Sequence, residues 1–426
     1  MSLVSRDKKH IWHPLNQHQT HPNSLPIVKA KGIYLYDEKG NKYIDGISSW
    51  YTAVYGHCNP TITDAVKKQM DQLDQIVFAG FTHEPAVELS ERLVEILPKN
   101  QKKVFFSDNG STAVEVGIKI ALQYWSNIGI NKTKIIGFNE GFHGDTFGAM
   151  AASGESVYNK PFKPLMVSAT KILPPRKNNI EYVLEHLEKL TKANDIAALV
   201  YEPLVQGAAG MKMHDEEALE QVLSFCRKKD VLLVADEVMT GFGKTGTYFA
   251  SDWMQTKPDI ICMSKALSAG LLPLAATSST QDIYDAFLSD KNEKSFFHAH
   301  TYSANPLACV AAIEGVKLLT SSYIQDQIKM IEECNRAFLE ALKNVDKVTN
   351  LRQKGVILAF DIKTKNNHVY GTLRDTLFNY FMNKGLYLRP LGNTLYIVPP
   401  YVITKVELKH VHQTLLEGIK SLSIDE

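Results

Sequence analysis

Two apolar runs end in groups able to do chemistry. Val231 to Ala235 runs into Asp236-Glu237, and Asp259 to Met263 runs into Ser264-Lys265 among small residues. In open α/β sheets, ligands gather beyond the carboxyl ends of such strands. An acid there usually caps a helix or forms a turn, and most lysines are solvated cations, but a lysine so placed could form a Schiff base. Two further segments change that balance. Phe105 to Val116 (FFSDNGSTAVEV) reads as a strand, a turn through Asp108-Asn109-Gly110, and a helix opening at Ser111-Thr112. Backbone N–H groups and hydroxyls at a helix start receive a phosphate dianion, with Gly110 letting the backbone come close, although an ordinary Ser/Thr cap looks the same. Gly141 to Thr146 follows another strand and offers Phe142 and His143, which could equally be a core ring and a bonded imidazole.

Together these four features fit one cofactor, pyridoxal 5'-phosphate. Its enzymes need a lysine to link it, an acid against the ring nitrogen, a phosphate site at a helix start and a side chain stacked on the ring. The acid keeps the pyridine nitrogen protonated, so that electrons released at a substrate's α-carbon can spread into the ring, and the freed lysine shuttles the proton.

The elements that must position these groups follow from periodicity. Val104 to Ser107, Ile135 to Phe138, Ala197 to Glu202, Val231 to Asp236 and Ile260 to Ser264 read as buried strands, alternating with amphipathic helices such as Thr61 to Leu73 and Pro85 to Leu97. This pattern predicts an α/β domain with a mostly parallel sheet between helices. Before it, Lys31 to Asp45 predicts a hairpin turning at Glu38 to Asn41. Beyond Leu319 the pattern predicts a long helix through Ala341, strands at Val356 to Ile362 and Leu395 to Val398, and a closing helix from Lys405 to about Glu417. The division expected is 1–58 and 319–426 as the two parts of a small α+β domain built from both ends of the sequence, and 59–318 as the large cofactor-binding domain.

The totals narrow the partners. The 426 residues hold 47 basic and 46 acidic side chains, a formal charge of +1. That leaves no basic excess for nucleic acid or a membrane surface, and points to small-molecule partners. Five cysteines, none in a Cys-x-x-Cys pair, read as reduced thiols. Met1 to His10 lacks an apolar signal core and no apolar run reaches the roughly 18 residues of a membrane span, so a cytoplasmic protein is expected.

The segments Ala235 to Gly246 (ADEVMTGFGKTG), Ser264 to Leu267, Asn109 to Ser111 and Gly141 to Thr146 resemble the class III aminotransferases of the fold type I pyridoxal phosphate enzymes, whose large domain has a seven-stranded type of sheet. Within that class, Ile11 to Pro14, Asp45 to Trp50, Phe142 to Met150, Gln206 to Met211, Leu388 to Pro390 and Pro399 to Tyr401 are similar to the members of biotin biosynthesis that aminate 8-amino-7-oxononanoate, usually with S-adenosylmethionine as donor and in some cases with lysine. The resemblance implies that Lys265 carries the cofactor, Asp236 pairs with its ring nitrogen, Gly110 and Ser111 hold the phosphate, Phe142 stacks on the ring and His143 lies beside it. It also implies that Thr301 reaches the phosphate of a neighbouring subunit, making a homodimer with sites at the interface. For the substrate it implies Arg389 at the carboxylate, with Trp50, Tyr51, Ala299 and Tyr396 along the channel. Leu15, Phe142 and Lys244 depart from the family's tyrosine, tyrosine and arginine, and His298-Ala299-His300-Thr301 replaces His-Gly-Pro-Thr.

Other readings are weaker. Gly241 to Thr245 hints at a P-loop, but Val238 stands where the Walker pattern needs a glycine. His10, His13, His18 and His21 could bind a metal, but Trp12 and Pro14 among them point to packing, and no metal is expected. A different reaction on the same cofactor, including another ω-aminotransferase, is the remaining alternative.

Overall fold

The computed structural model describes residues 2–21, 23–364 and 371–421. Its central sheet has seven strands: β1 (Gln101–Ser107), β2 (Lys134–Phe138), β3 (Ala169–Ile172), β4 (Ile196–Tyr201), β5 (Leu232–Asp236), β6 (Ile260–Met263) and β7 (Ala275–Thr280). They lie in the order β1-β7-β6-β5-β4-β2-β3. Strands β2 to β6 are parallel, and β7 is antiparallel to both its neighbours. Successive side chains point to opposite faces, and both faces are covered. Ala198, Val200, Val234 and Cys262 pack under the helix Gly110–Asn127, whereas Leu199, Tyr201, Leu233 and Met263 join the larger core on the other side. Burial on both faces is why these strands read as unbroken apolar runs. Gly117 brings that helix close, since a methyl there would meet Cys262 Sγ at 2.9 Å.

Five expected strands appear as β1, β2, β4, β5 and β6. The sequence reading did not find β3 and β7. Strand β7 (AATSST) is buried without being apolar: Thr277 Oγ1 donates to the Ala113 carbonyl at 2.9 Å and Ser278 Oγ to Gln101 Oε1 at 2.7 Å. With their hydroxyls satisfied, these side chains carry little burial penalty.

The hairpin is formed by Tyr34–Asp37 and Lys42–Asp45, with Asp37 accepting from the Lys39 and Asn41 backbones across the turn. Ile27–Lys31 extends it on one side and Leu386–Tyr387 on the other, the latter parallel to Lys42–Asp45. Val348–Lys354, Ile357–Ile362 and Thr394–Ile397 form a separate antiparallel sheet. The helices Ser322–Leu342 and Lys405–Ser421 pack on each other, joined by a 2.9 Å bond between Asn335 Oδ1 and His412 Nε2.

The expected packing of Trp12 is not found: its side chain is 91% exposed. The helix before it, Leu3–His10, buries none of its residues, so nothing presses this segment into the core. His13 pairs with Asp7 at 2.9 Å and His21 with Asp375 at 3.2 Å. Among the described residues no single helix is long and apolar enough to cross a membrane.

Close packing next to the sheet edge gives a test. At Gly137 in β2 a Cβ would lie 2.0 Å from the Ala152 carbonyl oxygen, whereas at Gly315 it would meet nothing closer than 3.4 Å. Gly137→Ala is expected to destabilise the fold by about 1–3 kcal/mol and Gly315→Ala much less, read as a difference in thermal midpoint.

Candidate active site

Strands β1, β2, β4, β5 and β6 run the same way, so Ser107, Phe138, Tyr201, Asp236 and Met263 all finish at one edge of the sheet. The loops leaving that edge carry the candidate groups. Asp236, 4% exposed, ends β5, where one oxygen accepts from the Val238 N–H at 3.0 Å and the other takes a 2.8 Å bond from His143 Nδ1. His143 is held in turn by its own N–H on Ser153 Oγ at 2.8 Å, and its buried Nε2 has no protein partner.

Lys265 follows β6 in a left-handed conformation, φ 50°, at the start of a short 3-10 turn, Lys265–Ser268. Its Nζ lies 5.0 Å from the centre of the Tyr51 ring. Burial lowers the basicity of this amine, an effect the nearby Asp236 and Glu202 carboxylates partly offset. Its neutral, nucleophilic form is therefore more accessible than that of a surface lysine.

At the end of β1, Asn109 caps the helix Gly110–Asn127 by accepting from Thr112 N at 3.0 Å, with the Thr112 hydroxyl completing a capping box. The N–H groups of Gly110 and Ser111 are among those that have no partner within a helix. Ser111 Oγ donates to Thr146 Oγ1 at 2.9 Å and accepts from Thr146 N at 2.8 Å, so the helix start and the Gly141 to Thr146 loop are one unit. Gly144 makes that contact possible, since its Cβ would fall 2.4 Å from Ser111 Oγ. The Phe142 ring meets Tyr158 edge-on at 6.0 Å.

Two buried acids on this edge were not singled out in the sequence. Glu202, immediately after β4, accepts from the Phe142 N–H at 3.0 Å and the Gly207 N–H at 2.8 Å, tying the Phe142 loop to the Gln206 to Met211 segment. Burial pushes its carboxyl up to about 7. Glu237 takes bonds from Ala250 N, Ser251 N, Ser251 Oγ and Thr240 Oγ1 and so anchors the loop from Val238 to Trp253. The available signal was the one used for Asp236, an acid directly after an apolar strand. Lys244, in the Gly-Phe-Gly-Lys segment, points inward, fully buried with Nζ on the Gly241 carbonyl at 2.9 Å.

Trp50 and Tyr51 arrive by an unusual path. Ser48, Ser49, Trp50 and Tyr51 have φ of 49°, 44°, 64° and 73°, a left-handed turn without glycine. Each such residue costs about 1–2 kcal/mol, so tertiary contacts must hold it. The turn sets Trp50 against Arg389, whose guanidinium carbon is 4.5 Å from the ring centre, and gives the Tyr51 hydroxyl a 3.0 Å bond to the Tyr396 hydroxyl. Lys265, Tyr51 and Tyr396 are thus one chain of contacts and Arg389 with Trp50 another, joined through the Trp50-Tyr51 peptide. Beside the Asp145 loop opens a cleft of about 850 Å³, walled in part by Leu15, Tyr158, Phe162 and Arg374. Ala299 and Thr301 are not part of this assembly: both are exposed, on a segment where Phe297 is 73% and Tyr302 63% exposed.

The role of Glu202 can be tested through pH. Its folded-state value, about 7, lies above the ordinary 4.5, so the group favours folding below about pH 4.5 and loses that contribution as pH rises through about 7. The thermal midpoint of the native chain, measured against that of Glu202→Gln, is expected to fall between about pH 5 and about pH 8.

Known proteins resemble this chain in sequence and backbone. The family model for class-III aminotransferases matches residues 15–419. An adenosylmethionine-8-amino-7-oxononanoate aminotransferase of Synechococcus elongatus is 40% identical, covering 96% of this chain and 98% of its own length. One of Staphylococcus aureus is 36% identical, covering 99% and 98%. The crystal structure of the Methanocaldococcus jannaschii protein of that name superposes with a TM-score of 0.94 at 34% identity, over 99% of both chains. A PLP-bound amine transaminase from an uncultivated Pseudomonas species gives 0.91 at 27% identity, over 96% and 98%. With sequence pattern and backbone shared over nearly its whole length, this chain belongs to the class-III aminotransferase family.

Proposed function

We propose that the chain uses pyridoxal 5'-phosphate to move an amino group from S-adenosylmethionine to 8-amino-7-oxononanoate, giving 7,8-diaminononanoate in biotin biosynthesis. The carrying observation is that the Trp50-Tyr51 pair links the two ends of the site, with Tyr51 beside Lys265 and Trp50 against Arg389. The residues present fit the cofactor. Lys265 would link it, Asp236 would pair with its ring nitrogen, Phe142 would stack on its ring, and the N–H groups of Gly110 and Ser111 at the helix start would receive its phosphate. His143, whose buried Nε2 is unpartnered, belongs to the same pocket.

When bound, this cofactor supplies a carbonyl carbon and an electron sink for the bond broken at the donor's α-carbon. Asp236 would hold a proton at the ring nitrogen, its carboxylate kept in orientation by the His143 bond. Lys265 Nζ, of lowered basicity, would take the proton from the donor's α-carbon and hold it for return during the transfer. Glu202 fixes the Phe142 backbone and with it the stacking ring. The acceptor's terminal carboxylate meets Arg389 in a charge-assisted pair, while its apolar chain lies along Trp50 and Tyr51. Both half-reactions use this one site in turn.

We also propose a homodimer. The exposed Thr301 and Ala299, with Phe297 and Tyr302 beside them, suit a surface covered by a second copy whose site Thr301 completes. In sedimentation the active species is expected to be a dimer, and a fully active monomer overturns this point.

The function is tested by following the cofactor's visible absorbance in the holoenzyme. S-adenosylmethionine should remove the Lys265-linked band and 8-amino-7-oxononanoate restore it. A response to L-lysine alone changes the donor, and a response to neither ends the assignment. Lys265→Ala should abolish the band and nearly all turnover. Arg389→Ala should spare the donor half and weaken the keto-acid half by about 2–5 kcal/mol, and equal loss in both halves would show Arg389 to be misassigned.

A further inference from the structure

The left-handed turn at Ser48 to Tyr51 needs a holder, and the structure provides a single buried carboxylate. Asp45, the last residue of the strand Lys42–Asp45, is 0% exposed. One of its oxygens accepts from Ile47 N at 3.2 Å. The other accepts from Ser49 N at 2.7 Å, Ser49 Oγ at 2.8 Å and His57 Nε2 at 2.8 Å.

Every group on the carboxylate is a donor, so both oxygens must be acceptors. An amide in this place would set an NH2 against at least one of them.

Other contacts hold the ends of the turn. Ser48 Oγ donates to the Val398 carbonyl at 2.7 Å, Tyr51 N to the Ile47 carbonyl at 2.8 Å, and Gly270 packs so closely on Thr52 that a Cβ there would lie 2.9 Å from its carbonyl carbon. Asp45 grips the middle, at Ser49. His57 closes the hub from the far side and is itself fixed by reciprocal backbone bonds with Gly32, at 2.7 and 3.0 Å.

The cluster is not a hydrolytic triad. Ser49 Oγ and Asp45 Oδ2 meet His57 at the same nitrogen, 3.5 and 2.8 Å away, and the serine gives its proton to the carboxylate. Its output is geometric. Relaxing the turn at Ser49 would redirect Trp50 away from the Arg389 guanidinium, whereas Tyr51 keeps its own bonds to the Ile47 carbonyl and to Tyr396. Strain of this kind, four successive left-handed residues of which two are placed at the site, points from conformation to function.

We infer that Asp45, closed over by His57, is the positioning residue of the carboxylate subsite: it locks the left-handed turn that presents Trp50 to Arg389, and so sets affinity for substrates ending in a carboxylate. This rests on the reading of Arg389 and Trp50 given above. The wild type, Asp45→Asn, His57→Gln, Arg389→Ala and the Asp45→Asn/Arg389→Ala double variant are compared as holoenzymes. Calorimetric binding of nonanoate, an unreactive carboxylate probe, is measured alongside the two half-reactions. Asp45→Asn should weaken nonanoate and raise the keto-acid KM by about tenfold or more, with the donor half within about threefold, and His57→Gln should act in the same direction more weakly. The double variant should lose little beyond Arg389→Ala alone, because interactions acting through one subsite are not additive.

Unchanged nonanoate binding in Asp45→Asn, with Arg389→Ala weakened, overturns the inference, as does equal loss in both halves or full additivity. If Asp45→Asn does not fold, His57→Gln decides: a selective rise in the keto-acid KM supports the inference and an unchanged KM overturns it. Nonanoate binding unaffected by Arg389→Ala instead removes the reading of the subsite itself.

Discussion

The bond between His143 and Asp236 is made where parallel strands stop, and the rest of the site depends on that shared ending. A parallel sheet sends all its strand-to-helix loops out of one edge. Here that edge receives an acid from β5, a lysine from β6, an imidazole from the loop after β2, a second acid after β4 and a helix start after β1. Once the strands pair, the five loops are neighbours, and short bonds such as Ser111 to Thr146 and Glu202 to Phe142 settle their final positions.

Such crowding creates an electrostatic problem that the fold solves by pairing and by loss of charge. Asp236 keeps a partner in His143. Glu202 and Glu237 are buried among N–H and hydroxyl donors, and burial nonetheless pushes each carboxyl up to about 7. Lys244 is pushed down to about 7 by burial and by Lys265. A guanidinium at that position would stay charged. The lysine found here can shed its charge, so the loop from Val238 to Trp253 tolerates two amines in one neighbourhood.

How much of this was legible follows the same physics. Strands buried on both faces announce themselves as apolar runs, and the groups at their ends, Asp236 and Lys265, were readable because the runs located them. Strand β7 was not readable, because its burial is achieved by hydroxyls that find partners only in three dimensions. Glu202 was within reach of the argument used for Asp236 and was passed over as the last residue of a strand. The turn at Ser48 to Tyr51 left no trace, because left-handed backbone is forecast from glycine or asparagine and this one is imposed by Asp45 from outside. Trp12 misled, since an aromatic between Ile11 and His13-Pro14 looks like a packed residue in any sequence.

The parallel pairing of Lys42–Asp45 with Leu386–Tyr387 also orders events during synthesis. The strand that ends in Asp45 emerges early from the ribosome and shows an open edge until its partner, made some 340 residues later, arrives to cover it. Unpaired strand edges are where nascent chains stick to one another. The central-sheet strands that end in Asp236 and lead to Lys265 are all made before Arg389. The arginine proposed to select the substrate is thus made after the lysine proposed to handle the amine.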